Sequence, residues 1–352
     1  MNLEELLMNI PFLDDEVRRT AQKRQDQLTK PSGSLGKLET LSILMAGITG
    51  NPAPHLDRKV VFVMAGDHGV TAEGISAYPA EVTTQMVMNF LQGGAAINVL
   101  ARHVGAEVVV VDMGVVGDLP IHSNLIVKKI DRGTNNICLG PAMTRAQAIQ
   151  AILTGAELAY AAIAEGAQIL ATGEMGIGNT TSSAAIMAAL GVAAIEDCVG
   201  RGTGVDDEGL KRKRRVVEQA LRINQPDPLD GLDLLSKLGG FEIAGLVGVI
   251  LGGASRRVPV VIDGFITTAA ALIAVTLAPR ARDFIIAAHR SQEQGHKKML
   301  EWLGLQPVLD LGMRLGEGSG AVLAMSILDA ACKILNEMAT FTEAGISNKS
   351  GD

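Results

Sequence analysis

Short apolar runs that alternate with helical segments are the feature that most constrains the fold of this chain. Six runs have the length and composition of buried strands, and they are residues 60–64, 108–111, 125–130, 169–171, 258–262 and 284–287. Strands that alternate with helices form a largely parallel sheet with right-handed crossovers, and near-continuous apolar strands are buried on both faces. The sequence therefore predicts an α/β fold with a Rossmann-like, largely parallel sheet and flanking helices, but it does not predict the strand order.

The two ends of the chain lack this alternation. Residues 1 to about 50 have helical patterns and no strand-like run, and residues 318–338 form one long helical pattern. We expect residues 1–55 and 318–352 to form a small helical domain beside a Rossmann-like α/β domain of residues 56–317.

The composition argues against several classes of protein. The chain of 352 residues is 47% hydrophobic, 20% charged and 3% aromatic, with a net charge of −7, which disfavours binding to nucleic acids or membrane surfaces. The longest uncharged apolar runs, residues 243–255 and 264–279, are shorter than the roughly 20 residues of a membrane span. The three cysteines are far apart and the first residues are acidic, so we expect no disulfide framework, no secretory signal and a cytoplasmic location.

Polar side chains follow five of the apolar runs, and they are Asp67, Asp112, Glu174, Asp263 and His289. Ligands of open α/β sheets bind beyond the carboxyl ends of the strands, so these ends predict one polar crevice. For Asp112 we prefer a structural role in a turn or a helix cap. Asp67, Glu174 and His289 lie close to glycine or serine, and we expect them in the site.

Residues 168–190 combine an apolar run, a glycine-rich turn from Gly173 to Gly178 and the polar start of an alanine-rich helix. Such a turn presents backbone N–H groups and the positive end of a helix to an anion, most often a phosphate. Glu174 lies in the same turn, which suggests a sugar phosphate whose hydroxyls or reacting partner this carboxylate reaches. An ordinary helix N-cap after a flexible turn is the alternative.

A second glycine-rich loop, residues 200–208, leads into the basic helix start of residues 209–215. Most of its five cations are expected to form a solvated helix face. Because the helix follows a glycine-rich loop, we expect Lys213 to face a phosphate.

A third loop, residues 314–320, carries Glu317 between two glycines and precedes an apolar helix. Apolar neighbours such as Leu315 disfavour ionisation and raise the pKa of a carboxyl group, which suits a general base. The alternative is a carboxylate that stabilises the helix dipole.

Seven motifs in a fixed order identify a family. They are Lys30-Pro31-Ser32-Gly33-Ser34-Leu35-Gly36, Gly66-Asp67-His68-Gly69-Val70, Gly173-Glu174-Met175-Gly176-Ile177-Gly178-Asn179-Thr180-Thr181, Gly202-Thr203-Gly204, Asp263-Gly264-Phe265, His289-Arg290-Ser291 and Arg314-Leu315-Gly316-Glu317-Gly318-Ser319-Gly320. Each is weak alone, but together they resemble the nicotinate-nucleotide–dimethylbenzimidazole phosphoribosyltransferase family from about residue 15 to residue 345.

This resemblance implies an enzyme that transfers 5-phosphoribose from nicotinate mononucleotide to 5,6-dimethylbenzimidazole. The products are α-ribazole 5′-phosphate and nicotinate, with inversion at C1′, and the nucleotide becomes part of the cobalamin lower ligand. Because the leaving group is a pyridinium, the glycosidic bond is already activated and needs neither a metal nor an acid, and we expect no cofactor. The resemblance also implies a homodimer in which the small domain of one subunit helps to close the site of the other.

The resemblance further implies residue roles. Glu317 is the expected general base, and Glu174 lies by the sugar and the reacting groups. The expected phosphate- and ribose-binding residues are Gly176, Ile177, Gly178, Asn179, Thr180, Thr181, Gly202, Lys213, Asp263 and Ser291. The expected benzimidazole-binding residues are Tyr78, Gln85, Met175 and Leu315.

Two other functions fit parts of the pattern. A nicotinamide-dinucleotide dehydrogenase would share the fold, but residues 176–180 lack the third glycine of the dinucleotide-binding fingerprint. A nucleotide-sensing protein without catalysis would use the same phosphate turn, although the intact loop of Glu317 argues against it.

Overall fold

The computed structural model describes residues 1–202 and 204–347, in which a six-stranded sheet is flanked by helices. The strands are β1 (Lys59–Gly66), β2 (Ala106–Gly114), β3 (Leu125–Val127), β4 (Ile169–Met175), β5 (Val260–Ile262) and β6 (Ile285–Ala287). The α-helices are α1 (Leu3–Met8), α2 (Asp15–Gln27), α3 (Lys37–Thr49), α4 (Val82–Leu91), α5 (Ala96–Val104), α6 (Arg145–Ala164), α7 (Asn179–Ala189), α8 (Ile195–Cys198), α9 (Asp207–Asn224), α10 (Gly231–Leu238), α11 (Phe241–Ser255), α12 (Phe265–Leu277), α13 (His296–Leu303), α14 (Ser319–Glu337) and α15 (Phe341–Ala344).

The sheet has the order β3-β2-β1-β4-β5-β6, and all of its strand pairs are parallel. The order reverses between β1 and β4, because the chain builds the sheet outward in one direction from β1 and in the other from β4. In open α/β sheets such a reversal leaves a crevice beyond the carboxyl ends of the two strands. The predicted α/β fold with a largely parallel sheet is confirmed.

The helix α11 is the most deeply buried helix beside the sheet, and all its residues from Phe241 to Ala254 are buried. It packs on α6 at glycine positions. A side chain at Gly155 would overlap the carbonyl oxygen of Gly245, so the two backbones approach more closely than larger residues allow. This packing places the first turn of α11 beneath the crevice.

The terminal segments pack on each other and on the sheet. Arg24 of α2 donates to the carbonyl oxygen of Leu335 in α14 at 2.6 Å, and a short antiparallel bridge joins Leu28 to Thr340. Leu6 of α1 also belongs to the main hydrophobic core around the sheet. The division into two domains stays a prediction, and residues 348–352 of its helical part lie outside the described residues.

Several element ends differ from the predicted ones. β4 continues through Met175, because residues 169–175 pair along their whole length with β1. The prediction that Gly173 and Glu174 lie in a turn was therefore wrong, and the turn consists of residues 176–178. β3, β5 and β6 are shorter than predicted, since only three residues of each pair with a neighbouring strand.

Among the described residues, α14 is the one helix long and apolar enough to cross a membrane. The apolar runs considered in the sequence did not include it. Ten of its residues are buried in the protein, and it packs against α3 and α5 as a core helix does. The cytoplasmic location stays a prediction.

Candidate active site

The crevice at the strand reversal leads into a cavity of about 680 Å³. Small-molecule sites have volumes of about 300–1,000 Å³. Glu174 at the end of β4, Gly264 after β5 and His289 after β6 all line this cavity, so three of the five predicted strand ends meet there. Two smaller cavities, of about 340 and 220 Å³, lie beside β6 and contain none of the predicted site residues.

The cavity wall has three kinds of surface. One side consists of a polar turn and loops, formed by Gly176, Ile177, Asn179, Thr180, Gly202 and Ser291. Acidic side chains come from Glu174, Glu293 and Glu317. The apolar side consists of Tyr78, Val82, Met86, Met175, Phe265, Ile266 and Leu315.

The glycine-rich turn is packed as closely as glycine permits. A side chain at Gly176 would overlap the carbonyl oxygen of Gly66, which lies at the end of β1. Gly178 has a φ of 99° and immediately precedes α7, so the turn directs the first turn of α7 toward the cavity. Gly178 and Thr181 lie behind this surface and do not line the cavity.

Lys213 lies behind the same turn. Its side chain is buried, at 1% exposure, and Nζ donates to Oγ1 of Thr180 at 3.1 Å. A Cβ at Gly202 would come within 2.9 Å of this Nζ, so the ammonium group is separated from the cavity only by small groups. Burial lowers the pKa of Lys213 to about 8, and Glu293 partly opposes this shift. Thr203, which belongs to the predicted loop, lies outside the described residues.

Ser291 is positioned by a buried histidine, His296. Its backbone N–H donates to Nδ1 of His296 at 2.9 Å, and Nε2 of the same ring contacts Oγ1 of Thr268 at 2.9 Å. Because Nδ1 accepts, Nε2 carries the proton. Burial lowers the pKa of His296 to about 3 and also lowers that of His289, so both rings are neutral at pH 7.

Glu174 is a strand residue with a buried carboxyl group. It is 7% exposed, and the Nδ2 of Asn179 donates to its Oε2 at 2.5 Å. Burial raises the pKa of Glu174 to about 8, the hydrogen bond from Asn179 lowers it, and the nearby charges of Asp263 and Glu242 raise it further. In the ligand-free protein this group is therefore mostly protonated at pH 7.

Glu317 is a loop residue on the opposite side of the cavity. It has a φ of 65° between two glycines that also have positive φ, an uncommon conformation for a residue with a side chain. Its Oε2 accepts from the N–H of Ile97, in the first turn of α5, at 3.2 Å. Burial raises the pKa of Glu317, although this hydrogen bond opposes the shift.

The two glutamate segments are in contact. A side chain at Gly173 would overlap the carbonyl oxygen of Glu317, and one at Gly316 would overlap the carboxyl group of Glu174. The backbone N–H of Glu317 also forms a hydrogen bond to the Glu174 carboxyl that lowers its pKa. The fold therefore brings together two carboxyl groups that lie far apart in the sequence.

Asp263 supports the loop of Glu317 rather than the cavity wall. Its carboxylate oxygens accept from the N–H groups of Gly318 at 3.2 Å and Ala321 at 2.9 Å, at the start of α14. Burial raises the pKa of Asp263 to about 7, and the nearby charge of Glu317 adds to the shift. Asp263 does not line the cavity, and its contact with ribose stays a prediction.

On the apolar side, the structure brings together Tyr78, Met175 and Leu315 but not Gln85. Gln85 is exposed on the outer face of α4, and Met86, which lies four positions after Val82, faces the cavity instead. The helical spacing of Val82 and Met86 was the signal for this face. All four predicted benzimidazole contacts stay predictions.

The remaining strand-end residues have structural partners. Asp112 accepts from the N–H of Val115 at 2.9 Å and pairs with Lys129 at 3.3 Å, which agrees with the preferred structural role. Asp67 accepts from the N–H of Val116 at 2.8 Å and does not line the cavity.

A buried pair beneath the turn did not emerge from sequence reasoning. Nε2 of His68 lies 2.6 Å from Oε1 of Glu242, and its Nδ1 lies 3.1 Å from the hydroxyl of Ser182. His68 follows β1 and Glu242 lies in the first turn of α11, so the pair connects the two elements that support the turn. Its signal in sequence was a charged residue, Glu242, at the start of an otherwise apolar helix.

Comparisons with known proteins identify the family. A family model described as phosphoribosyltransferase matches residues 10–346. A protein of Roseiflexus castenholzii named nicotinate-nucleotide–dimethylbenzimidazole phosphoribosyltransferase is 60% identical over 347 residues, which are 99% of this chain and 98% of the relative. A protein of the same name from Geobacter sulfurreducens is 55% identical over 345 residues, which are 98% of each chain.

A solved structure gives the same result. The crystal structure of the phosphoribosyltransferase of this name from Thermus thermophilus matches with a TM-score of 0.91 and 50% identity, over 96% of this chain and 100% of that one. These matches set aside the dehydrogenase and sensor alternatives. The chain belongs to the nicotinate-nucleotide–dimethylbenzimidazole phosphoribosyltransferase family.

Proposed function

We propose that this chain transfers the 5-phosphoribosyl group of nicotinate mononucleotide to 5,6-dimethylbenzimidazole, for cobalamin nucleotide synthesis. The observation that carries the proposal is one cavity that unites a glycine-rich turn backed by Lys213 with the carboxyl groups of Glu174 and Glu317. A phosphate fits the first surface, and a reacting sugar and base fit the space between the acids and the apolar side.

The turn and the buried cation hold the phosphate. The turn of residues 176–178 and the first turn of α7 supply backbone N–H groups and the positive end of a helix. Lys213 adds a positive charge behind Thr180, and Ser291 adds a hydroxyl from the loop after β6. With the phosphate fixed, C1′ of the ribose is held near the acidic side chains.

The reaction breaks the bond between C1′ and the pyridinium nitrogen of nicotinate. The electron pair of this bond goes to the pyridine ring, which leaves as neutral-ring nicotinate, and positive charge develops at C1′. A nitrogen lone pair of dimethylbenzimidazole attacks from the opposite face, which converts the β-nucleotide into an α-nucleotide. Holding the two reactants in line contributes several kcal/mol to the lower barrier, as an order of magnitude.

Glu317 accepts the proton of the benzimidazole N–H in this proposal. Its pKa is raised by burial, which makes the carboxylate a stronger base than an exposed one. Glu174 stabilises the charge at C1′, because the positively charged pyridinium ring of the donor lowers its raised pKa and favours the carboxylate. Glu317 thus acts on the attacking base, and Glu174 acts on the ribose of the donor.

We also propose that the protein is a homodimer. Residues 30–36 form one of the motifs that carry the resemblance, but none of them lines the cavity of its own chain. Residues 31–34 are exposed. Tyr78 and Leu315 on the apolar side are 54% and 56% exposed, so a second subunit has apolar surface to cover at the cavity. Light scattering after size-exclusion chromatography tests this, and a monomer at micromolar concentration would contradict it.

The activity is tested by incubating the protein with nicotinate mononucleotide and 5,6-dimethylbenzimidazole. Chromatography should show equal amounts of released nicotinate and α-ribazole 5′-phosphate. A panel of acceptors, with purines and phenols beside benzimidazoles, then identifies the preferred base. Release of nicotinate without a coupled nucleotide, or no release with any acceptor, would contradict the proposed transfer.

A further inference from the structure

Arg314 is a cavity residue without an assigned role. It carries the only side chain with a permanent positive charge among the described residues that line the cavity. It lies on the loop of Glu317, three positions before that residue, and its side chain is exposed. In the described part of the chain no carboxylate forms an ion pair with it, although Glu174, Glu293 and Glu317 line the same cavity.

The guanidinium group of Arg314 lies next to a residue that we expect to bind phosphate, Gly202. Nη1 of Arg314 donates to the carbonyl oxygen of Gly202 at 3.3 Å. The same Gly202 packs against Nζ of Lys213, which would lie 2.9 Å from a Cβ at this position. Both cations therefore lie next to one glycine, Lys213 buried behind the turn and Arg314 at the cavity surface.

The positive charges of Lys213 and Arg314 together match the negative charge of a phosphate group. A phosphate monoester carries about −1.5 to −2 charges at pH 7. Lys213 supplies one positive charge, and because burial lowers its pKa to about 8 it begins to lose this charge in weakly alkaline solution. An arginine keeps its charge at every physiological pH, and its planar fork binds two phosphate oxygens at once.

We infer that Arg314 binds the 5′-phosphate of the donor nucleotide together with Lys213, and that this contact holds the loop of Glu317 in its working position. The inference rests on the proposed function for the identity of the donor. Three successive residues of the loop, from Gly316 to Gly318, have positive φ. Asp263 fixes the far end of this loop, Ile97 holds the side chain of Glu317, and the phosphate fixes the near end through Arg314.

The test compares three donors in four proteins. The donors are nicotinate mononucleotide, nicotinate riboside, which lacks the phosphate, and nicotinamide mononucleotide, which lacks the ring carboxylate. The proteins are the wild type, Arg314→Met, Arg314→Lys and the control Arg212→Met. Arg212 is also an exposed arginine that donates to a glycine carbonyl, that of Gly74 at 3.0 Å, but it does not line the cavity.

With either mononucleotide, Arg314→Met should lower kcat/KM by about 30-fold, because a charge-assisted bidentate contact is lost. With the riboside the same substitution should change kcat/KM by less than about 3-fold, since the partner group is absent. Arg314→Lys should recover part of the loss, and Arg212→Met should behave as the wild type.

Three results would overturn the inference. An equal loss with the riboside would show that Arg314 acts on something other than the phosphate. A loss that disappears with nicotinamide mononucleotide would assign Arg314 to the ring carboxylate, and no loss with any donor would show that it binds neither group. Calorimetric titration of nicotinate mononucleotide, nicotinate riboside and nicotinamide mononucleotide into the wild type and Arg314→Met decides the phosphate contact even if no transfer to benzimidazole is found, so failure of the proposed function remains distinguishable.

Discussion

Glu174 and Glu317 meet in one cavity, but the chain holds them in different ways. Glu174 is part of β4, opposite Met64 of β1, and its carboxyl group is hydrogen-bonded by Asn179. Glu317 lies on a loop of left-handed residues, and its carboxyl group has a single longer hydrogen bond, from Ile97 at 3.2 Å. Strand pairing and a short hydrogen bond therefore hold Glu174 in place, whereas a longer hydrogen bond holds Glu317, and burial raises the pKa of both groups.

The first prediction separates the two acids by their effect on turnover. Glu317→Gln should lower kcat by about 10³-fold, because general-base catalysis contributes about 10²–10⁴-fold. Glu174→Gln should lower kcat less, by about 10²-fold, as expected for the loss of one electrostatic contact. The dissociation constant of nicotinate mononucleotide, measured by calorimetry, should change less than about 5-fold in Glu317→Gln, since the phosphate contacts remain. If Glu317→Gln retained a near-wild-type rate at neutral pH, the loop acid would not be the base.

The second prediction concerns stability as a function of pH. The folded pKa of Glu174, about 8, lies above its ordinary value of 4.5, so the folded protein binds more protons than the unfolded chain between these values. The stability contributed by this group is therefore complete below pH 4.5 and is lost as the pH rises through about 8. Glu174→Gln should remove this loss and be more stable than the wild type at pH 9 by on the order of 5 kcal/mol.

Glu317→Gln provides the comparison for that experiment. Burial raises the pKa of Glu317 as well, but no neighbouring carboxylate in the described part of the chain adds to the shift as Asp263 and Glu242 do at Glu174, so its relative gain between pH 5 and pH 9 should be smaller. The measurement is chemical unfolding of both variants and the wild type at the two pH values. A larger gain for Glu317→Gln than for Glu174→Gln would reverse the comparison.

The third prediction compares the stability effect of a glycine substitution in the loop with that of one in the strand. Glu317→Gly should stabilise the protein by about 1 kcal/mol, because a residue with a side chain is strained at positive φ. Glu174→Gly should not gain stability from backbone relief, since glycine within a strand costs about 0.5–1 kcal/mol. Thermal unfolding at pH 6, where the carboxyl of Glu174 is largely protonated, tests both. A destabilised Glu317→Gly would mean that the loop is not strained at this residue.

The fourth and smallest effect is a proton released on binding. Glu174 is mostly protonated at pH 7, and the pyridinium ring of nicotinate mononucleotide should lower its pKa. Binding should therefore release about half a proton or more at pH 7, which calorimetry in buffers of different ionisation enthalpy measures. The release should persist in Glu317→Gln and disappear in Glu174→Gln. Equal release in both variants would place the titrating group elsewhere.

The same comparison shows what the sequence could predict. The apolar run before Glu174 predicted a strand, and parallel strands place their carboxyl ends at one edge of the sheet. The position of Glu174 at the crevice could therefore be predicted from local pattern. The end of β4 could not be predicted from local pattern, because pairing with β1 extends the strand through Gly173 and Glu174, where composition suggests a turn.

The loop of Glu317 was predictable in chemistry but not in shape. Glycines on both sides of a glutamate indicated a close backbone approach, and the structure has that approach at Gly173. The three positive φ values and the support from Asp263 and Ile97 depend on contacts between distant parts of the chain, which local pattern does not contain. The exposure of Gln85 shows the same limit of local pattern. Gln85 and Met86 are adjacent in α4, but only Met86 lies on the cavity wall.

If Glu317 accepts the proton of the attacking base, its contribution to the rate should depend on how acidic that base is. The measurement is the ratio of the wild-type rate to the Glu317→Gln rate for a series of benzimidazoles with progressively more acidic N–H groups, such as a nitro-substituted member. This ratio should fall steadily along the series, because a more acidic acceptor needs less help to lose its proton. A ratio that stays constant from the least to the most acidic benzimidazole would contradict it.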